Sequence, residues 1–154
     1  MRITPLVLAA TAAASLLAAS PAHAARPHPG GTYGGVTPQD WPATFTVAAN
    51  GRSIVSAHIG LDRPCSSGNT RSTSDSYAKV KVSRTGAFST SFGPEPQQNA
   101  DGTTDEYTGS LTGRLDARRG RITGTWELMS VTKDTAGNVT DTCDSGPVKF
   151  TVRN

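Results

Sequence analysis

Four arginines, Arg114, Arg118, Arg119 and Arg121, fall within eight residues around a segment, Asp116 to Gly120, that reads as a hairpin turn. A guanidinium presents a planar fork of donors to phosphate or carboxylate oxygens, so this cluster has the chemistry to hold a polyanion. Asp116 dilutes the charge. No aromatic residue is interleaved with the four, which speaks against stacking on the bases of single-stranded nucleic acid. The bland alternative is a solvated turn that serves solubility alone.

A second group, Asn99, Asp101, Asp105 and Glu106, clusters oxygen ligands on a glycine-containing segment, as a Ca²⁺ loop requires. It departs from the EF-hand pattern at Thr103 and at the early Gly102. Asp134, Asn138, Asp141 and Asp144 form a looser set. Ordinary polar turn chemistry accounts for both without an ion.

Nucleophilic catalysis has little to work with. A hydrolytic triad needs a histidine between a serine and a carboxylate, and past residue 24 there are only His28 and His58. Asp62, four residues after His58, lies about 13 Å away along a strand. Glu95, Glu106 and Glu127 show no spacing that selects a glycosidase pair. No catalytic residue and no cofactor is expected. Ligand-facing aromatics are Tyr33, Trp41 and Tyr77, near strand ends or on a face otherwise occupied by lysine. Trp126 alternates in phase with Ile122 and Leu128 and belongs to the core.

The chain has 154 residues, 35% hydrophobic and 18% charged. Its N-terminus carries one arginine, an Ala- and Leu-rich run and the small-residue ending Ala22-His23-Ala24, which reads as a secretory signal peptide over 1–24. A flexible leader (25–31) and one domain (32–154) follow. Beyond the signal peptide, 14 basic and 12 acidic side chains leave a net charge of only +2, too small to imply a partner. No second long apolar run suggests a transmembrane segment. Cys65 and Cys143, an even pair in an exported chain, read as one disulfide. Protein recognition would use a loop held by it, Asp62 to Ser76 or Asp141 to Pro147; stabilisation of an exported domain accounts for the bridge without a partner.

Alternation of apolar residues sets the elements. Ala43, Phe45 and Val47 share a face, and Asn50-Gly51 turns the chain. Val55, Ala57, Ile59 and Leu61 then share a face. Ala78, Val80 and Val82 oppose Tyr77, Lys79 and Lys81, and Phe88 and Phe92 follow on one side. Gly93 to Asp105, with its two prolines, reads as a surface loop. Tyr107, Leu111 and Leu115 alternate with Gly109 and Gly113, whose lack of a side chain implies close approach of a neighbour. Ile122, Trp126 and Leu128 precede a polar stretch, and Val148, Phe150 and Val152 close the chain. No helical period persists. The fold class is all-β: an antiparallel sandwich or a meandering barrel of about seven strands, eight if Thr32 to Val36 counts.

The segments Gly109-Ser-Leu-Thr-Gly113, Ile122-Thr-Gly-Thr-Trp126 and Cys143-Asp-Ser-Gly146, before Val148-Lys-Phe150, resemble small secreted β-rich proteins of actinobacteria, most of them of unknown function. The resemblance implies an extracellular β fold with a Cys65 to Cys143 link and carries over no catalytic residue. The expectation is a secreted, monomeric, non-catalytic binding or envelope-associated protein, its partner an extracellular polymer or protein and not a specific nucleic acid. The alternatives are a small extracellular hydrolase and a purely structural envelope component.

Overall fold

The computed structural model describes residues 30–154, so the proposed signal peptide and most of the leader lie outside the described residues. Nine antiparallel strands run β1 (Gly31–Val36), β2 (Pro42–Val47), β3 (Ser53–Pro64), β4 (Thr70–Lys81), β5 (Ala87–Gln98), β6 (Thr104–Asp116), β7 (Arg121–Lys133), β8 (Val139–Asp144) and β9 (Val148–Arg153). Gly31, assigned to the leader by sequence, opens β1. The sheet order is β4-β3-β2-β1-β9-β7-β6-β5, with β8 beside β7. The sheet curls into a nearly closed barrel whose two edge strands, β4 and β5, meet through a bridge between Val82 and Phe88.

Inward-facing residues fill the lower interior. Phe45 stacks on Phe150 with ring centroids 5.0 Å apart and meets Phe88 at 6.3 Å. Trp126 is fully buried, and its Nε1 donates to the Tyr77 hydroxyl at 2.7 Å, satisfying the indole's only donor. The inward glycines of β6 and β7 make room for rings. A Cβ on Gly109 would lie 2.4 Å from the Phe92 ring, one on Gly113 2.4 Å from Phe88, and one on Gly124 2.5 Å from Phe150. The close approach inferred from the glycines is thus made largely by aromatic side chains.

Three expectations are corrected. Gly93 to Asp105 is not a loop: β5 runs to Gln98 and pairs with β6 from Glu95↔Tyr107 to Gln98↔Thr104, leaving a tight turn at 99–103. Its prolines are tolerated because β5 is an edge strand. Val139–Asp144, read as polar turn, is a ninth strand paired to β7. Val55 is 49% exposed while Ile54 is buried, because a register shift against β2 inserts Val55 as an extra residue and inverts the alternation on either side.

Above the aromatic core the interior turns polar. Arg63, 3% exposed, donates from Nη1 to Ser130 Oγ at 2.7 Å, and its guanidinium lies 5.4 Å over the Tyr107 ring. Asp105 accepts from Thr132 Oγ1, from Asn99 Nδ2 at 3.3 Å and from Arg71, whose guanidinium also reaches Asp141 at 3.8 Å. Beside this network the Cys65–Cys143 disulfide joins the β3–β4 turn to β8 across 78 positions. Asp141 reinforces the join by accepting from Ser66 Oγ at 2.8 Å and from the Ser67 backbone N–H at 3.0 Å.

Candidate polyanion-binding cleft

In an up-and-down sheet every second hairpin turn falls at the same end. The β2–β3, β4–β5 and β6–β7 turns therefore converge at the lower end of the barrel. Each is fixed by local backbone bonds: Gly51 N–H to Ala48 C=O at 2.8 Å, Gly86 N–H to Ser83 C=O at 3.0 Å, and Arg119 N–H to Asp116 C=O at 3.2 Å. Leu115 N–H donates to Gly86 C=O at 2.8 Å and stitches the second turn to the third. Gly86, at φ 85°, takes a conformation that side chains resist, and a Cβ there would lie 2.2 Å from the Leu115 carbonyl oxygen.

Between the turns lies a cleft of about 770 Å³ bordered by Arg52, Arg84, Arg114 and Arg118. All four are exposed, and among the described residues none forms an ion pair. Among the described residues, Asp116 is the one acidic residue at the cleft. It is engaged by Arg119 Nε at 3.7 Å and Arg121 Nη2 at 4.0 Å. The arginines foreseen from sequence thus divide: Arg114 and Arg118 face the cleft, whereas Arg119 and Arg121 neutralise the carboxylate that would oppose an anion. Arg52 and Arg84 come from turns distant in sequence, and turn parity was the signal that could have placed them. Ser83 and Thr85 add hydroxyls; no aromatic side chain lines the cleft.

The aromatic candidates fare differently. Tyr33 is fully buried in mid-strand, and Tyr77 is 8% exposed. Tyr77 points inward because Lys79 adopts φ 58°, which breaks the alternation that set Tyr77 beside the lysines. Neither is an exposed ligand platform. Trp41 is half-buried: its ring lies over Gly60, and Nε1 donates to Asp62 Oδ1 at 2.9 Å.

The proposed Ca²⁺ ligands do not converge. Asp101 Oδ1 accepts from the Thr103 backbone N–H at 2.9 Å and from its hydroxyl, Asp105 faces Arg71, and Glu106 accepts from Lys133 Nζ at 2.7 Å. Asn99 donates its amide to Thr103 and Asp105. In the looser set, Asp134 closes its own turn by accepting from Ala136 and Asn138, and Asp141 belongs to the disulfide join. His58 Nδ1 lies 2.7 Å from Ser76 Oγ on an exposed face. Of the nearby carboxylates, Asp62 accepts from Trp41 and Ser72, and Asp75 accepts the Ser76 backbone N–H on Oδ1 alone; neither bonds to His58 among the described residues. The contact is a cross-strand pair without the acid of a triad.

No family model matches the chain, and no curated protein or solved structure matches it.

Proposed function

We propose that the protein is a secreted, non-catalytic binder of an extracellular anionic polymer, gripped at the arginine cleft. The observation that carries this reading is the convergence of Arg52, Arg84 and Arg118 from three turns, and of Arg114 from the end of β6, around a carboxylate already neutralised by Arg119 and Arg121. An anion entering among four guanidiniums without ion-pair partners can accept forked, charge-assisted hydrogen bonds from them. The filled aromatic core favours a surface site over an enclosed one. The signal-like N-terminus and the disulfide support an extracellular setting.

Binding of long-chain inorganic polyphosphate, followed as a function of salt, tests the reading. Counterion release lowers log K against log salt by roughly 0.7 to 0.9 per phosphate neutralised on a nucleic acid. By analogy, four contacts should cost on the order of 50- to 150-fold between about 50 and 200 mM salt. Arg52→Gln and Arg84→Gln should each weaken binding about two- to fivefold and flatten the salt slope. Arg119→Gln, which leaves only Arg121 on Asp116, should weaken binding less than either and leave the salt slope unchanged. Equal retention of wild type and an Arg52→Gln, Arg84→Gln, Arg114→Gln triple variant would overturn the proposal.

A further inference from the structure

A second cavity, sharing no residue with the arginine cleft, opens where the barrel fails to close. From the Val82–Phe88 bridge β4 and β5 diverge, leaving a cleft of about 240 Å³ with Thr73 and Asp75 on one lip, Phe92 and Glu95 on the other, and Tyr107 and Leu128 behind. In an uninterrupted strand Phe92 and Glu95, three residues apart, would face opposite sides. The register shift between them places both on the cleft, in keeping with the tendency of bulges to re-aim side chains.

The charges around this cleft do not cancel. Arg71 bridges Asp105 and Asp141, so with Arg63 these four carry two positive and two negative charges; Lys133 is held by Glu106. Lys79 stands four positions along β4 from Asp75, about 13 Å in an extended strand. Asp75 and Glu95 have no cationic partner among the described residues. Both act on the Tyr77 hydroxyl: burial raises its pKa most, the Trp126 hydrogen bond opposes, and the two carboxylates add to the rise. Phe92 is half-buried with its ring 5.8 Å from Tyr77.

We propose that the β4–β5 cleft is a binding site for a compact organic ammonium group, held by the Asp75 and Glu95 carboxylates against the Phe92 ring, since Arg63 already lies over the ring of Tyr107. A ring face attracts a cation within about 6 Å, and a desolvated ammonium with an apolar surface satisfies both the carboxylates and the ring. The volume is below the roughly 300 to 1,000 Å³ of sites for whole drug-sized ligands, so the cleft takes a head group and leaves the remainder of the ligand outside.

The test is a titration of the ¹⁵N-labelled full chain with choline, followed by amide chemical shifts, beside its neutral isostere 3,3-dimethyl-1-butanol. Choline should shift amides of Thr73 to Asp75, Phe92, Glu95 and Tyr107, and the alcohol should bind at least fivefold more weakly. Glu95→Gln, at an exposed position, should weaken choline at least fivefold, and Phe92→Leu should do so while keeping apolar bulk. Equal affinity for the alcohol, shifts centred elsewhere, an unaffected Glu95→Gln variant or no shifts at tens of millimolar choline would each overturn the proposal. The alcohol comparison uses wild type alone, so it stands even where a variant does not fold.

Discussion

Gly113 shows how little freedom one position has when a ring and a backbone share its space. Its Cβ would lie 2.4 Å from Phe88 Cζ and 2.7 Å from the Thr123 carbonyl oxygen. Phe88 is itself buried against Phe45, so the ring cannot retreat without displacing a second one. Overpacking of this kind costs typically about 1–3 kcal/mol. Gly113→Ala should therefore lower the free energy of unfolding by that amount, whereas Gly137→Ala, with no atom of the described residues near its Cβ, carries only the penalty of its φ of 86°. Urea unfolding of both variants checks this; a loss at Gly113 no larger than at Gly137 would show that the ring moves aside freely. Arg63 makes the complementary point for polar groups. Its Nε has no acceptor among the described residues, so its burial rests on Ser130, the Tyr107 face and the neighbouring carboxylates, and Ser130→Ala should destabilise by about 1–3 kcal/mol.

Among elements, the join between the β3–β4 turn and β8 is the one that closes the upper end on the side away from the β4–β5 opening. In the chain-entropy description a loop of this length, 78 positions, is worth about 4 kcal/mol when cross-linked. A Cys65→Ser, Cys143→Ser double variant should lose a large part of that, read by thermal and urea unfolding; a loss below about 1 kcal/mol would mean that Asp141 and its serine donors hold the turn unaided. These outer portions of the hairpins were also the least legible in the sequence. Alternation marks a strand only where one face meets an apolar core. The Ala43 to Val47 and Val148 to Val152 strands, and Trp126 as core, were legible for that reason. The arms Arg71 to Asp75 and Glu95 to Gln98 extend beyond the aromatic core with polar residues on both faces, so they read as loop although their backbones are paired. Inversions at Val55 and Lys79 were hidden as well, since a bulge or a left-handed residue leaves no mark on composition. Of the arginine cleft the sequence showed the contiguous half and concealed Arg52 and Arg84, which only the shared end of three hairpins brings in.

At the scale of the molecule, charge is divided along the barrel: unpaired arginines at the lower end, mutually compensated arginines and aspartates at the upper. The two ends should therefore answer acid differently. Burial pushes the Asp105 carboxyl up, but hydrogen bonds from Thr132 and Asn99 and the charge of Arg71 outweigh it, so its pKa falls below the ordinary aspartate value. Asp141 is lowered chiefly by the Ser66 hydroxyl, with further help from Ser67 and Thr142. A carboxylate with a depressed folded-state pKa stabilises the fold fully above its unfolded value of about 3.9 and loses that contribution as pH falls through the folded value. Protonation also leaves buried Arg63 and its neighbour Arg71 without their counter-charges, which adds to the loss. Stability should thus be nearly level from pH 7 to about 5 and fall steeply below about 4. Asp105→Asn should be less stable at neutral pH and show a shallower fall on acidification, because one of the four aspartates with a lowered pKa is gone. Urea midpoints of wild type and variant at pH 7, 5, 4 and 3 measure both slopes. Parallel slopes would remove Asp105 from the acid response, and stability that rose towards pH 3 would contradict the sign of the linkage itself.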